Sequence, residues 1–100
     1  MLNNNNYDNK LKNVSEVLKA LSHPTRLCIV CKLMIKELNV SEMQSCLVMP
    51  QSTVSQHLSI LKSRGIIEGR RRGSEVIYSI ANKDIEDVVK VFFDIGEIPE

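Results

Sequence analysis

Residues 51–62 read QSTVSQHLSILK. At helical spacing this stretch has one apolar edge, formed by Val54, Leu58 and Leu61, of the kind a core covers. The opposite edge holds Gln51, Ser52, Ser55, Gln56, Ser59 and Lys62. A solvated helix face is normally charged, whereas this one is polar and nearly uncharged. Hydroxyl and amide groups of this kind hydrogen-bond to base edges and to phosphate oxygens. The bland alternative is a plain solvent face.

The neighbouring residues frame the stretch as a helix of about 51–64. Pro50 ends what precedes it, because the residue before a proline avoids the helical region. Gly65 suits the C-cap. Upstream, Asn39 followed by Glu42 reads as a capping box opening a short helix, with Val40, Met43 and Leu47 facing inward. A short helix, a break at "VMP" and a second helix make a helix-turn-helix. Further upstream, Pro24 fits a first helical turn with Ser22 or His23 as cap. The helix it opens spans about 25–37, with Leu27, Val30, Cys31 and Met34 as its stripe. Before it, Leu11, Val14, Val17, Leu18 and Leu21 recur at three and four residues, predicting a first helix. The four asparagines within "MLNNNNYDNK" suggest a flexible arm over residues 1–10.

Downstream, the period changes. In "GIIEGRRRGSEVIYSIAN", Val76, Tyr78 and Ile80 alternate with Ile77 and Ser79. This predicts a hairpin turning near 71–74, tipped by Arg70, Arg71 and Arg72. Arginine suits both phosphate and a narrow minor groove, although taken alone such a run is more often a solvated turn. Asn82 then caps a last helix of about 83–95. Its apolar residues Ile85, Val88, Val89, Phe92 and Ile95, extended by Val91 and Phe93, exceed what one-sided packing needs. Residues 97–100 form a tail, and 11–96 the domain.

The chain has 100 residues and a net charge of +1. One domain is expected, with a modest core that pairing between two copies would supplement. The near-neutral total conceals an uneven distribution. Residues 51–75 carry a local +3 and residues 76–100 a local −4, and for nucleic acid the patch matters more than the sum. No apolar run reaches membrane-span length and the N-terminus lacks a signal-peptide pattern, so a cytoplasmic protein without a membrane partner is expected. No paired-carboxylate, triad or phosphate-loop pattern is present, which argues against an enzyme.

Taken together, the order is that of a winged helix-turn-helix: mainly α with a small β-hairpin (α-α-α-α-β-β-α). The stretches "LKALSHPTRLCIV", "STVSQHLSILKSRGII" and "RRRGSEVIYSI" closely resemble the ArsR family of small dimeric repressors, in the right order and over about residues 14–95. The resemblance implies a repressor acting on double-stranded DNA. It implies recognition by Gln51, Ser52, Thr53, Ser55, Gln56, His57 and Ser59, with Arg70, Arg71 and Arg72 on the wing. His57 lies at the border of this face, where the residue either meets a phosphate or packs inside the helix-turn-helix. The resemblance also implies a homodimer built from the first and last helices through Leu11, Val14, Leu18, Val88, Val91, Phe92 and Ile95. The alternative class is a winged helix that binds protein instead of DNA.

Family members commonly release DNA when a metal, metalloid or reactive sulfur species binds. Asn39 and Ser41 stand where one family metal site has its Cys-x-Cys. Asn82, Asp84, Ile95 and Ile98 fall at or near the positions of another. Neither usual metal set is present. The remaining candidates are Cys28, Cys31 and Cys46, an odd number that does not suggest a disulfide framework. Cys31 matches a second-helix cysteine of a sulfide- or persulfide-sensing branch, whose partner cysteine on the last helix is missing here. Cys28, three residues earlier, is its neighbour on the helix. A longer sulfur bridge or a thiophilic metalloid would span the pair, with Cys46 as a third thiolate. The competing reading is inert packing, since cysteine is among the most buried residue types.

Overall fold

The computed structural model describes residues 5–99. Five α-helices, α1 (Asn5–Leu21), α2 (Pro24–Ile35), α3 (Val40–Leu47), α4 (Gln51–Ser63) and α5 (Lys83–Phe92), surround a small antiparallel sheet. The sheet has strands β1 (Leu38–Asn39), β2 (Ile67–Arg72) and β3 (Glu75–Ile80) in the order β1-β3-β2. This is the expected winged helix-turn-helix with one strand more than the sequence showed.

Local chemistry sets most boundaries. His23 is the N-cap of α2, its Nδ1 accepting from the Thr25 N–H at 3.1 Å, with Pro24 in the first turn. Asn39 caps α3 through a complete capping box: its Oδ1 accepts from the Glu42 N–H at 2.8 Å, while the Glu42 carboxylate accepts from the Asn39 N–H at 2.9 Å. Two of the donors every helix start leaves open are thus satisfied reciprocally. Helix α4 ends in a Schellman arrangement: Ile66 N–H donates to the Leu61 carbonyl and Gly65 N–H to the Lys62 carbonyl, both at 3.0 Å. Gly65 takes the positive φ (+70°) that this exit requires. In the hairpin, Arg72 pairs with Glu75 around a two-residue turn in which Gly73 has φ +64°.

The core lies between α2, α4 and the sheet. Ile29, Val30, Met43, Val54, Leu58, Leu61, Ile66 and Ile67 are almost fully enclosed, joined by Cys31, Leu33, Leu38, Ile85 and Val89. Helix α2 is more central than its expected stripe suggests. Ile29 and Leu33 are buried, while Leu27 and Met34 are only partly covered.

Four features differ from expectation. Residues 5–10, expected in a loose arm, already belong to α1; residues 1–4 of that arm and Glu100 lie outside the described residues. Tyr7 falls on the same helical stripe as Leu11, Val14 and Leu18, so the amphipathic pattern continues through the asparagines. Helix α5 stops at Phe92, not near 95. Phe93 is extended, and Asp94 opens a short 3₁₀ turn, Ile95–Glu97, with its own capping box. Of the expected tail, the described residues are held against the domain: Ile98 is buried, and Lys32 Nζ donates to the Pro99 carbonyl at 2.5 Å. Finally, Leu38 and Asn39 pair with Tyr78 and Ile77 as β1, closing one edge of the wing.

One backbone position is strained. Val48, between α3 and α4, has φ 52° and ψ 55°. The left-handed region costs an L-residue with a Cβ about 1–2 kcal/mol, and a β-branched one is an outlier there.

Candidate nucleic-acid interface

Helix α4 is oriented as its sequence demands. Val54, Leu58 and Leu61 are buried, and this fixes the opposite edge outward: Gln51, Ser52, Ser55, Gln56 and Ser59 are all exposed. Thr53 is partly covered. Among the described residues, none of these six side chains makes a hydrogen bond or ion pair. The helix start is equally open. Side chains of His23, Asn39 and Asn82 cap α2, α3 and α5, but Pro50 offers α4 none. The Thr53 and Val54 N–H groups both donate to the Pro50 carbonyl at 3.1 Å, leaving the first amides at the positive end of the helix dipole for an outside acceptor.

His57 lies off this edge. Its ring is 4.7 Å from that of His23, tilted by 51°, and Arg26 Nη1 approaches its Nδ1 at 3.5 Å. Arginine has no acceptor, so His57 Nδ1 accepts. Arg26 is itself anchored, its Nε donating to the Ala20 carbonyl at 2.6 Å. Of the two readings of His57, this geometry matches packing within the helix-turn-helix: the ring ties α4 to the start of α2. Sequence reasoning missed Arg26, because nothing in its neighbourhood signals a contact 31 residues away.

The wing arginines divide. Arg70 grips Glu37 with both terminal nitrogens, Nη2–Oε1 at 2.9 Å and Nη1–Oε2 at 3.4 Å. Each partner favours the charged form of the other, lowering the Glu37 pKa and raising that of Arg70. Both are exposed, so the pair adds little stability, but it braces the wing against the chain leaving α2. Asn39 Nδ2 adds a second brace, donating to Glu75 at 2.8 Å. Arg71 and Arg72 are exposed and form no salt bridge among the described residues, although the Arg72 charge also helps to lower the Glu37 pKa. Strand alternation puts Arg71 on the face of Ile67 and Arg72 on the other.

The three thiols do not gather. Cys28 and Cys31 line one largely apolar cavity of about 340 Å³ with Leu27, Phe93 and Ile98. Cys46 is exposed and borders a separate cavity with Leu38 and Glu42. Among the described residues no group of three His, Cys, Asp or Glu side chains is placed to hold a metal ion, so the expected third thiolate is not beside the pair. Burial pushes the Cys31 thiol up, the neighbouring Cys28 adds to this, and Lys32 opposes it. A raised pKa leaves less of Cys31 as the nucleophilic thiolate.

The His57 ring, by contrast, is pushed below its ordinary value of 6.5 by burial and then by His23 and Arg26. The unfolded chain then takes up a proton that the folded ring resists. This contribution to stability is complete above pH 6.5 and is lost as pH falls through the folded-state value. Thermal midpoints measured between about pH 7 and about pH 5 should fall in the wild type and fall less in His57→Gln. The Glu37 contribution, lost only below its ordinary 4.5, lies in a separate window. Equal slopes for the two proteins would remove His57 from the linkage.

With this geometry in hand, comparison with known proteins is specific. The model of the bacterial regulatory protein arsR family matches residues 23–68, from the α2 cap through the start of β2. The transcriptional repressor PagR of Bacillus anthracis is 42% identical over 82 residues, covering 81% of this chain and 82% of PagR. The repressor SmtB of Mycobacterium tuberculosis is 42% identical over 74 residues, 74% of this chain; the match spans 55% of the length of SmtB. Among solved structures, a homodimeric winged helix-turn-helix DNA-binding domain from Mycobacterium bovis superposes with a TM-score of 0.83 at 32% identity, covering 91% of this chain and 85% of that one. Identity at this level, over about four fifths of both this chain and PagR, makes the chain a member of the ArsR family of bacterial regulatory proteins, a class of regulators and not of enzymes.

Proposed function

We propose that this protein is a cytoplasmic, homodimeric transcriptional repressor that binds an inverted-repeat operator in double-stranded DNA. The observation that carries this reading is the edge of α4: Gln51, Ser52, Ser55, Gln56 and Ser59 are exposed, nearly uncharged and unengaged. In this reading Gln56 reads a base edge, most favourably adenine in bidentate fashion. Ser52, Thr53 and the open amides of α4 hold phosphates, and Arg71 and Arg72 follow the neighbouring strand. Arg70 acts by bracing the wing through Glu37. No described helix is long and apolar enough to cross a membrane.

The dimer is supported by apolar surface that one copy leaves open. Leu11, Val14 and Leu18 on α1, and Val88, Val91 (78% exposed) and Phe92 (76% exposed) on α5, are uncovered, with Ile95 just beyond. An apolar cleft of about 360 Å³ runs between these two helices. Two copies joined there present two α4 helices to successive major grooves, roughly 34 Å apart.

Release is assigned to Cys28 and Cys31, through an inserted sulfur bridge or a thiophilic metalloid. Their support is the shared cavity, whose far wall is Phe93 and Ile98, directly past α5. Anything added to the thiols presses on the segment leaving the dimer helix.

Three measurements test these assignments. Gln56→Ala should weaken operator binding by about 1–3 kcal/mol, and Arg71→Ala should lower the salt-dependence slope by about one. If neither variant differs from wild type in a salt titration, a protein-interaction module becomes the better reading. The double variant Val91→Glu, Phe92→Glu should sediment as a folded monomer; an unchanged mass would place the dimer elsewhere. Operator release by polysulfide or arsenite should be lost in Cys28→Ser, Cys31→Ser and retained in Cys46→Ser. Release persisting without Cys28 and Cys31 would exclude the pair.

A further inference from the structure

Val48 sits in the turn of the helix-turn-helix with its side chain 86% exposed, the most exposed large hydrophobic residue described. It also holds the left-handed conformation that closes α3, with its N–H donating to the Gln44 carbonyl at 2.9 Å. The turn needs a positive φ here, and glycine or asparagine supplies one with less strain. Valine thus brings strain to the turn, and its isopropyl group gains almost no burial in return. Strain that the fold does not repay points to a role outside it. The side chain borders an open groove formed with Gln44, Ser45, Met49 and Pro50. The lining ends in sequence at Pro50, and Gln51 and Ser52 follow directly, three and four residues from Val48 and so within about 10–14 Å of it along the chain.

We propose that Val48 is a specificity-determining residue, packing its branched methyl groups against the C5-methyl of a thymine next to the bases met by α4. This rests on the DNA reading above. Thymine's methyl is the one apolar feature of the major-groove edge, and an apolar side chain beside a polar reading edge complements it. The rigid turn suits the task. A β-branched side chain has few rotamers, so little freedom is lost when it is pressed against the base.

The experiment uses a duplex selected in vitro by the wild-type protein and resynthesised with single thymines replaced by uracil, which lacks only the methyl. Val48→Gly and Val48→Asn both tolerate the left-handed backbone, so at least one reports on a folded protein; circular dichroism and thermal midpoints check this. At one thymine position, uracil should weaken wild-type binding by about fourfold, the value of one buried methyl group. Both variants should bind the thymine duplex correspondingly weaker and be indifferent to uracil there. Variants that bind like wild type overturn the proposal. So do variants weakened without a change in the thymine–uracil ratio, which would indicate a sugar contact, and variants unaffected on DNA but defective toward a partner protein. Gln56→Ala, measured on the same duplexes, separates the two claims. If it is defective while the Val48 variants are not, only the Val48 assignment fails; if wild type selects no duplex, both fail.

Discussion

The fit of Val54, Leu58 and Leu61 into the core is the constraint from which the rest follows. These three side chains are essentially closed to solvent, and burying side chains of this size contributes about 1.5–3 kcal/mol each. A helix held this firmly by one edge has no freedom to rotate. Its opposite edge is therefore presented by packing, and the hydroxyl and amide groups there need no further positioning. A slip of one residue turns a helix by about 100°. It would expose leucine and bury serine, a cost that both edges oppose.

Helix α2 connects this rigid element to everything else. Its first turn meets α4 through His23, Arg26 and His57. Its middle supplies Cys28 and Cys31 to the cavity under Phe93 and Ile98. The chain just beyond its end supplies Glu37 to the wing arginine. Helix α4, the wing and the segment leaving α5 thus all meet α2 or the chain just beyond it. The thiols lie about one and a half and just over two turns along α2 from His23, whose ring meets that of His57 on α4. Coupling between an inducer and DNA needs such a shared element with two arrangements.

What was legible in the sequence is what local chemistry decides. The Asn39–Glu42 box, Pro24, Pro50 and Gly65 each act within a few residues, and each marked its boundary. The uncharged edge of α4 was legible for the same reason, because one helix's pattern contains both its faces. What escaped depends on distant partners. Strand β1 has two residues and exists because β3 offers it an edge. Arg26 and Glu37 look like ordinary surface charges until the fold brings His57 and Arg70 to them. Helix α5 stops early, with Phe93 extended and lining a cavity beside α2, which its apolar periodicity does not reveal. Val48 was silent because valine ordinarily avoids the backbone it adopts here.

The central claim is that the exposed edge of α4 and the arginine wing together meet DNA, while α1 and α5 meet a second copy. Backbone amide NMR of the isotope-labelled protein, titrated with an in vitro selected duplex, tests it most directly. The account predicts that the largest shifts fall on residues 48–59 and 70–74, and that Leu11, Val14, Leu18, Val88 and Val91 stay nearly unchanged. Shifts concentrated on α1 and α5, or a duplex that leaves the amides of α4 undisturbed, would contradict it.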